Sequence, residues 1–270
     1  ITDKGIGNGI SLIIMIGIIA RMPANFVFEA GARMGGAGGA IALIVEIVLL
    51  FVVVLGTILL VQGTRRVPVQ YARRIIGNKQ YGGVRQYIPL KVNAAGVMPI
   101  IFAQAIMMLP IIIAGYSTDT ASGFAVAFSN MYGFWYNLVT AILIILFTYF
   151  YTAITINPVQ MAEDMKKNGG FIPGIKPGRK TVEFFDMIMS RITLPGSIFL
   201  AIIAVLPAIA VVAGITPQFA QFYGGTSLLI LVGVILDTLQ QVESHLLMRH
   251  YDGLMKSGRI KGRSGAVTSI

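Results

Sequence analysis

Six apolar runs, with lengths near the roughly 20 residues that a helix needs to cross a bilayer, constrain this chain more than any other feature. They extend from Ile6 to Ala20, Ala40 to Val61, Ala94 to Ala114, Asn137 to Ile156, Ile192 to Gly214 and Gly225 to Met248. A backbone inside hydrocarbon must satisfy its own N–H and C=O groups, so runs of this length read as helices. Composition agrees: 56% of the residues are hydrophobic, 12% are charged, and the mean hydropathy is +0.79. The expected class is an all-α integral membrane protein with six transmembrane helices.

The cations decide the orientation. The loop from Gly63 to Lys91 carries seven basic residues (Arg65, Arg66, Arg73, Arg74, Lys79, Arg85 and Lys91) and no acid. The stretch 157–191 carries six (Lys166, Lys167, Lys176, Arg179, Lys180 and Arg191), and the tail beyond 248 carries five (Arg249, Lys256, Arg259, Lys261 and Arg263). The intervening loops hold only Arg21 and Arg33, so the alternation is eighteen against two. Basic loops stay on the cytoplasmic side during insertion, which predicts both ends of this chain in the cytoplasm. Seven cations over one long loop exceed what topology needs, and their mixture with Tyr71, Tyr81 and Tyr87 suggests a docking surface.

The second cationic stretch has its own architecture. Asn157-Pro158 ends the preceding helix, and Val159 to Lys167 reads as a short polar helix with Glu163 and Lys167 at i, i+4. Pro173-Gly174 and Pro177-Gly178 then make consecutive tight turns that lift Lys176 to an exposed tip. Thr181 to Ser190 resumes as helix, with Val182, Phe185 and Met189 near one face.

Little in the chain argues for catalysis. It has no cysteine, which excludes disulfides and thiolate chemistry. Gly5-Ile6-Gly7-Asn8-Gly9 lacks the preceding strand and the following Lys-Ser or Lys-Thr of a phosphate loop. His245 and His250 have no third ligand, so no metal site or cofactor is expected. The acids inside the apolar runs are Glu46, Asp237 and Glu243, and only Asp237 lies well inside its run. An acid there costs about 2.5 to 3.5 kcal/mol on insertion scales. It is either functional or held against a neighbouring helix, bonded to Thr238 or a backbone group. Pro99, Pro110, Pro195 and Pro207 fall within helices or near their ends, where neighbours must satisfy freed carbonyls.

Several ordered stretches resemble the bacterial SecY family: Gly5-Ile6-Gly7-Asn8-Gly9-Ile10-Ser11; Arg65-Arg66 and Tyr71-Ala72-Arg73-Arg74; Pro89 to Phe102; Phe150-Tyr151-Thr152-Ala153 through Asn157-Pro158; and Gly224-Gly225-Thr226-Ser227-Leu228-Leu229-Ile230. The resemblance covers essentially the whole chain. It implies the pore subunit of a protein-conducting channel with ten membrane helices in two inverted halves. This chain would carry the fifth helix (1–22) and a C-terminal half of five helices (40–248). The two docking loops (63–91 and 157–191) and a tail (249–270) would be cytoplasmic. The start Ile1-Thr2-Asp3-Lys4-Gly5 resembles neither an initiator nor a signal peptide, so the chain is expected to begin inside a larger protein. The missing N-terminal half would hold the plug and one side of the lateral gate.

The resemblance also implies roles. Ile6, Ile10, Ile101 and Ile230 match positions of an apolar pore ring, and a narrow apolar collar can block ions by dewetting. Phe102, Gln104 and Thr152 fall on the gate helices, although Gln104 could equally hold the bundle through an interhelical hydrogen bond. Arg65, Arg66, Arg73, Arg74, Lys79, Arg85, Lys176, Arg179 and Lys180 would dock the ribosome or the SecA motor. Lys176 stands where the family usually has Arg, so the charge is kept and the bidentate fork is lost. Further implied partners are SecE- and SecG-type small membrane subunits, unfolded or nascent polypeptides, and membrane lipid in the inner membrane. The rival reading is a secondary transporter, which should converge polar groups at mid-membrane near Asp237 and Gln104. An intramembrane protease lacks a visible catalytic pair.

Overall fold

The computed structural model describes residues 9–35, 39–71, 74–76, 79–81, 85–116, 128 and 130–256. Helices α1 (Gly9–Met34) and α2 (Gly39–Gln62) lead into strands β1 (Thr64–Tyr71), β2 (Arg74–Ile76), β3 (Lys79–Tyr81) and β4 (Arg85–Lys91). Helices α3 (Met98–Tyr116), α4 (Phe134–Thr155) and α5 (Pro158–Lys167) follow, then strand β5 (Gly170–Phe171) and helix α6 (Arg179–Val212). A corner of α7 (Pro217–Ala220) and a 3-10 turn (Gln221–Tyr223) precedes α8 (Gly225–Lys256). Among the described residues five helices, α1, α2, α4, α6 and α8, are long and apolar enough to cross a membrane, and α3 adds a shorter apolar one.

Two helix boundaries differ most from the sequence reading. Helix α1 does not stop at Ala20 but continues through Pro23 to Met34, so Arg33 is helical rather than in a loop. The stretches Thr181–Ser190 and Ile192–Gly214 are one helix. At 34 residues and about 1.5 Å per residue, α6 is about 50 Å long and outruns a hydrocarbon core of about 30 Å.

That length lets α6 serve three successive cores. At its start Phe185, Ile188, Met189 and Ile192 pack with Val67, Val69 and Leu90 of the strands and with Ala162, Met165 and Ile172. In its middle Leu200, Ala201 and Ile203 meet Leu60, Ile100, Ala103, Ile144 and Leu229. At its end Ala210 joins Ile215, Phe219, Ala220 and Tyr223. The partner along its side is α4, whose Tyr136, Thr140, Ile144, Thr148 and Thr152 recur every fourth residue and are all buried. Thr140 and Thr148 return their hydroxyls to the carbonyls of Tyr136 and Ile144, at 2.8 and 2.6 Å. This removes an unpaired donor from the helix interface.

The cationic loop is not irregular. Strand β1 pairs antiparallel with β4 from Thr64↔Lys91 to Gln70↔Arg85, and with β5 at Gln70↔Phe171 and Tyr71↔Gly170. The physical cause is a period of two: Val67 and Val69 turn inward and are buried, while Arg66 and Pro68 turn outward. Strand β5 belongs to the second cationic stretch, so the sheet joins the two projections. Strands β2 and β3 form a separate hairpin.

Candidate functional site

The first cluster of functional interest is the sheet with its flanking turns. Arg65, Arg66 and Arg85 are exposed on β1 and β4, beside Tyr87, which is 58% exposed. Lys176, Arg179 and Lys180 are exposed on the turn and the first turn of α6. Positive φ at Gly174 and Gly178, 87° and 113°, shapes the turn around Lys176 as the Pro-Gly pairs predict. Arg179 is partly offset by Glu183 at 3.4 Å. Lys167 pairs with Asp164, at 3.9 Å, rather than with Glu163 as the i, i+4 spacing suggests; both ends of that pair are exposed and it contributes little. Arg74 and Lys79 lie on the β2–β3 hairpin, and Arg73 is outside the described residues. The structure thus gathers most of the expected docking cations on one platform, held by a buried apolar layer.

The second cluster lies along the membrane helices. On α3, Ile100, Ala103 and Met107 point into the core, whereas Ile101, Gln104 and Met108 share an exposed face. Ile10 on α1 is 70% exposed, and Ile230 on α8 is half-buried. Helix α8 packs against both α1 and α3, so the helices bearing these isoleucines are neighbours; Ile6 is outside the described residues. Phe102 packs against Tyr151 and Phe147 of α4, with ring centroids 5.3 and 6.3 Å apart. Thr152 lies on the other side of α4, facing α6, so the structure separates it from Phe102 and Gln104. Asp237 is exposed and makes no hydrogen bond or ion pair with the described residues; the Thr238 hydroxyl bonds to Val234 instead, at 2.7 Å.

The polar site inside the bundle is one that the sequence reading missed. Glu29, Arg33 and Glu46 form a buried network at the end of the bundle away from the cationic sheet. Arg33 Nε binds Glu29 Oε1 at 3.2 Å, and its Nη2 pairs with Glu46 Oε1. The other oxygen of Glu29 accepts from the Thr216 N–H at 3.0 Å and from the Thr216 hydroxyl. Tyr223 donates its hydroxyl to the Glu46 carbonyl at 2.8 Å. Burial, and then the neighbouring carboxylates, push the Tyr223 phenol above its ordinary range and keep it a donor. Glu46 Oε2 is buried without a partner among the described residues. Among the acids of the apolar runs the sequence singles out Asp237 rather than Glu46, and it places Arg33 in a loop. The available signal was their i, i+4 spacing, which places a carboxylate and a guanidinium on one helix face.

Residues 1–239 match the family model of SecY. The chain belongs to the SecY family. It is 43% identical to the protein translocase subunit SecY of Chlamydia trachomatis, over 97% of this chain and 59% of that protein. The Thermotoga maritima subunit is 42% identical with the same coverages, and the Mycobacterium tuberculosis subunit is 45% identical over 95% and 59%. The chain therefore spans about 59% of the length of these SecY relatives. In fold it is similar to a solved structure of a protein-conducting channel, with a TM-score of 0.58 and 17% identity over 90% of this chain and 60% of that one. A second structure, concerned with the plug domain of the SecY protein, gives 0.52 over 90% and 61%. The transmembrane helices are those of a multi-pass SecY-family membrane protein.

Proposed function

We propose that this chain forms part of the pore subunit of a Sec protein translocase, passing unfolded polypeptides across a membrane and releasing apolar segments sideways into lipid. The observation that carries the reading is the match to relatives named as translocase subunits, at 43% identity along 97% of the chain. In this reading Ile6, Ile10, Ile101 and Ile230 belong to an apolar collar. Phe102 and Gln104 belong to the lateral gate, with Thr152 behind them on the same wall. The exposure of Ile10 and Ile101, on helices that both neighbour α8, supports surfaces that close only against further protein or a passing chain.

The sheet platform then docks SecA or the ribosome, the cationic end faces the cytoplasm, and SecE- and SecG-type subunits flank the bundle in the inner membrane. Work comes from the docked partner, and the pore itself catalyses no covalent step. The test is conductance of the complete channel in planar bilayers. Ile101→Asn and Ile230→Asn should each raise ion leak, because a polar side chain wets a dewetted constriction. Unchanged leak in both removes these residues from the collar.

A further inference from the structure

A cavity of about 140 Å³ lies between α4 and α6, at the end of the bundle that carries the cationic sheet. Its polar lining is made of the Tyr149, Thr152, Ser190 and Thr193 hydroxyls and the Asp186 carboxylate, with Pro158 at its edge. Thr152 is only 7% exposed and its hydroxyl, unlike those of Thr140 and Thr148 below it, makes no hydrogen bond with the described residues. A hydroxyl on a buried residue that declines the carbonyl four residues back and lines a cavity instead is an unused partner for a ligand.

The cavity offers more acceptors than donors: its carboxylate only accepts, and two of its four hydroxyl protons are already given to backbone carbonyls. Thr193 gives its proton to the Met189 carbonyl at 2.8 Å and Tyr149 points at the Ser190 carbonyl, at 3.5 Å. Both keep lone pairs to offer. Pro158 has no N–H to give, so the Ile154 carbonyl at the end of α4 lacks its helical partner. The free N–H groups at the start of α5 are taken by the Asn157 side chain, which accepts from Val159 and Gln160 at 3.0 and 3.3 Å. Asp186 is exposed and has no ion pair with any described residue.

We infer that this cavity binds a primary ammonium group, carried by the ethanolamine headgroup of a phospholipid. A single carboxylate with hydroxyls does not make the oxygen-rich cage that a divalent cation needs. Three N–H donors match Asp186, Thr152 and a third acceptor, whereas a quaternary ammonium has no N–H and calls for an aromatic cage that a lone Tyr149 does not provide. The lipid source follows from the surroundings. Phe150 and Ile154 on α4 and Leu194 and Ile198 on α6 are exposed apolar side chains, ready for acyl chains beside the headgroup. This inference does not depend on the channel reading.

The test is native mass spectrometry of the protein, extracted and delipidated in mild detergent, with phosphatidylethanolamine or phosphatidylcholine of identical chains. One charge-assisted hydrogen bond corresponds to about tenfold preferential retention of the ethanolamine lipid. Asp186→Asn and Thr152→Val should each erase the preference, and Thr152→Ser, which keeps the hydroxyl, should retain it. Equal retention of the two lipids, or a preference unchanged in Asp186→Asn, overturns the site. Displacement of the lipid by an equal concentration of free ethanolamine overturns the lipid source in favour of a soluble amine. Displacement only by a lysine-bearing peptide overturns it in favour of a protein contact.

Discussion

Arg33 donates from Nη2 to the carbonyl oxygen of Gly214 at 2.8 Å, across 181 residues of chain. The carbonyl is presented by the way α6 ends. Gly214, at φ 95°, lets Ile215 N–H reach back to Ala210 and Gly214 N–H to Val211, at 3.1 and 2.9 Å, the paired bonds of a Schellman stop. Ile215 and Ala210 then sit in one core. The same guanidinium also holds Glu29 and Glu46, so α1, α2 and the corner after α6 are fastened at one point. Phe26 against Phe219, with centroids 6.1 Å apart, adds an apolar contact beside it.

Removing the guanidinium should therefore cost far more than removing one of its carboxylates. In Arg33→Ala two buried carboxylates lose the only cation that pairs with them among the described residues, and breaking such a pair costs about 3 to 5 kcal/mol. In Glu46→Gln the amide oxygen still accepts from Arg33 and the unpartnered Oε2 becomes a neutral group, so the expected change is within about 1 kcal/mol. Thermal unfolding in detergent, followed by helical circular dichroism, checks both. Equal losses would show that Glu46 is needed as a charge.

Two glycines in the same region should respond in opposite ways to alanine. Pro207 cannot bond to the Ile203 carbonyl four residues back, and Gly224 packs against that freed oxygen. A Cβ on Gly224 would overlap it and come within 3.0 Å of Pro207 Cδ. Gly224→Ala should destabilise by about 1 to 3 kcal/mol. Gly233 in α8 has open space around its Cβ position, so Gly233→Ala should be neutral or stabilise by up to about 1 kcal/mol through helix propensity. The same melting experiment reads both.

These residues mark where the sequence was legible. Among the described residues hydropathy located the five long apolar helices and the shorter α3, because the bilayer imposes a length and an apolar surface, and the helices of Ala40–Val61 and Asn137–Ile156 shifted by only a few residues. It failed where partners are distant in the chain. Nothing local reveals that Glu29 meets Thr216, or that Glu46 is buried while Asp237 is exposed. Val67-Pro68-Val69-Gln70-Tyr71 does alternate, but seven surrounding cations made the segment read as charge rather than as strand. The pairing of β1 with β5, which unites the two projections, depends on the tertiary fold alone. Phe102 and Gln104 keep their place on α3, while Thr152 turned toward α6, a choice of helix face that chain order does not settle.

Docking on the platform should separate into a charge part and a shape part. Reversing Arg65, Arg66 and Lys176 to Glu in the complete channel leaves Val67, Val69 and Leu90 buried, so the sheet persists while most of its positive field is cancelled. Ribosome binding should weaken, and its salt slope should flatten by about 2 to 3 for three lost phosphate contacts. Val69→Ala acts in the other way. Val69 is fully buried, and trimming it costs about 2 kcal/mol, loosening the sheet against α5 and α6 with no change in charge. Binding should fall there too, with the salt slope kept, because the cations remain but are no longer held in register. Sedimentation with ribosomes across a salt series distinguishes the two. If the triple reversal binds at low salt with an unaltered slope, these cations only orient the chain in the membrane, and the platform has another purpose.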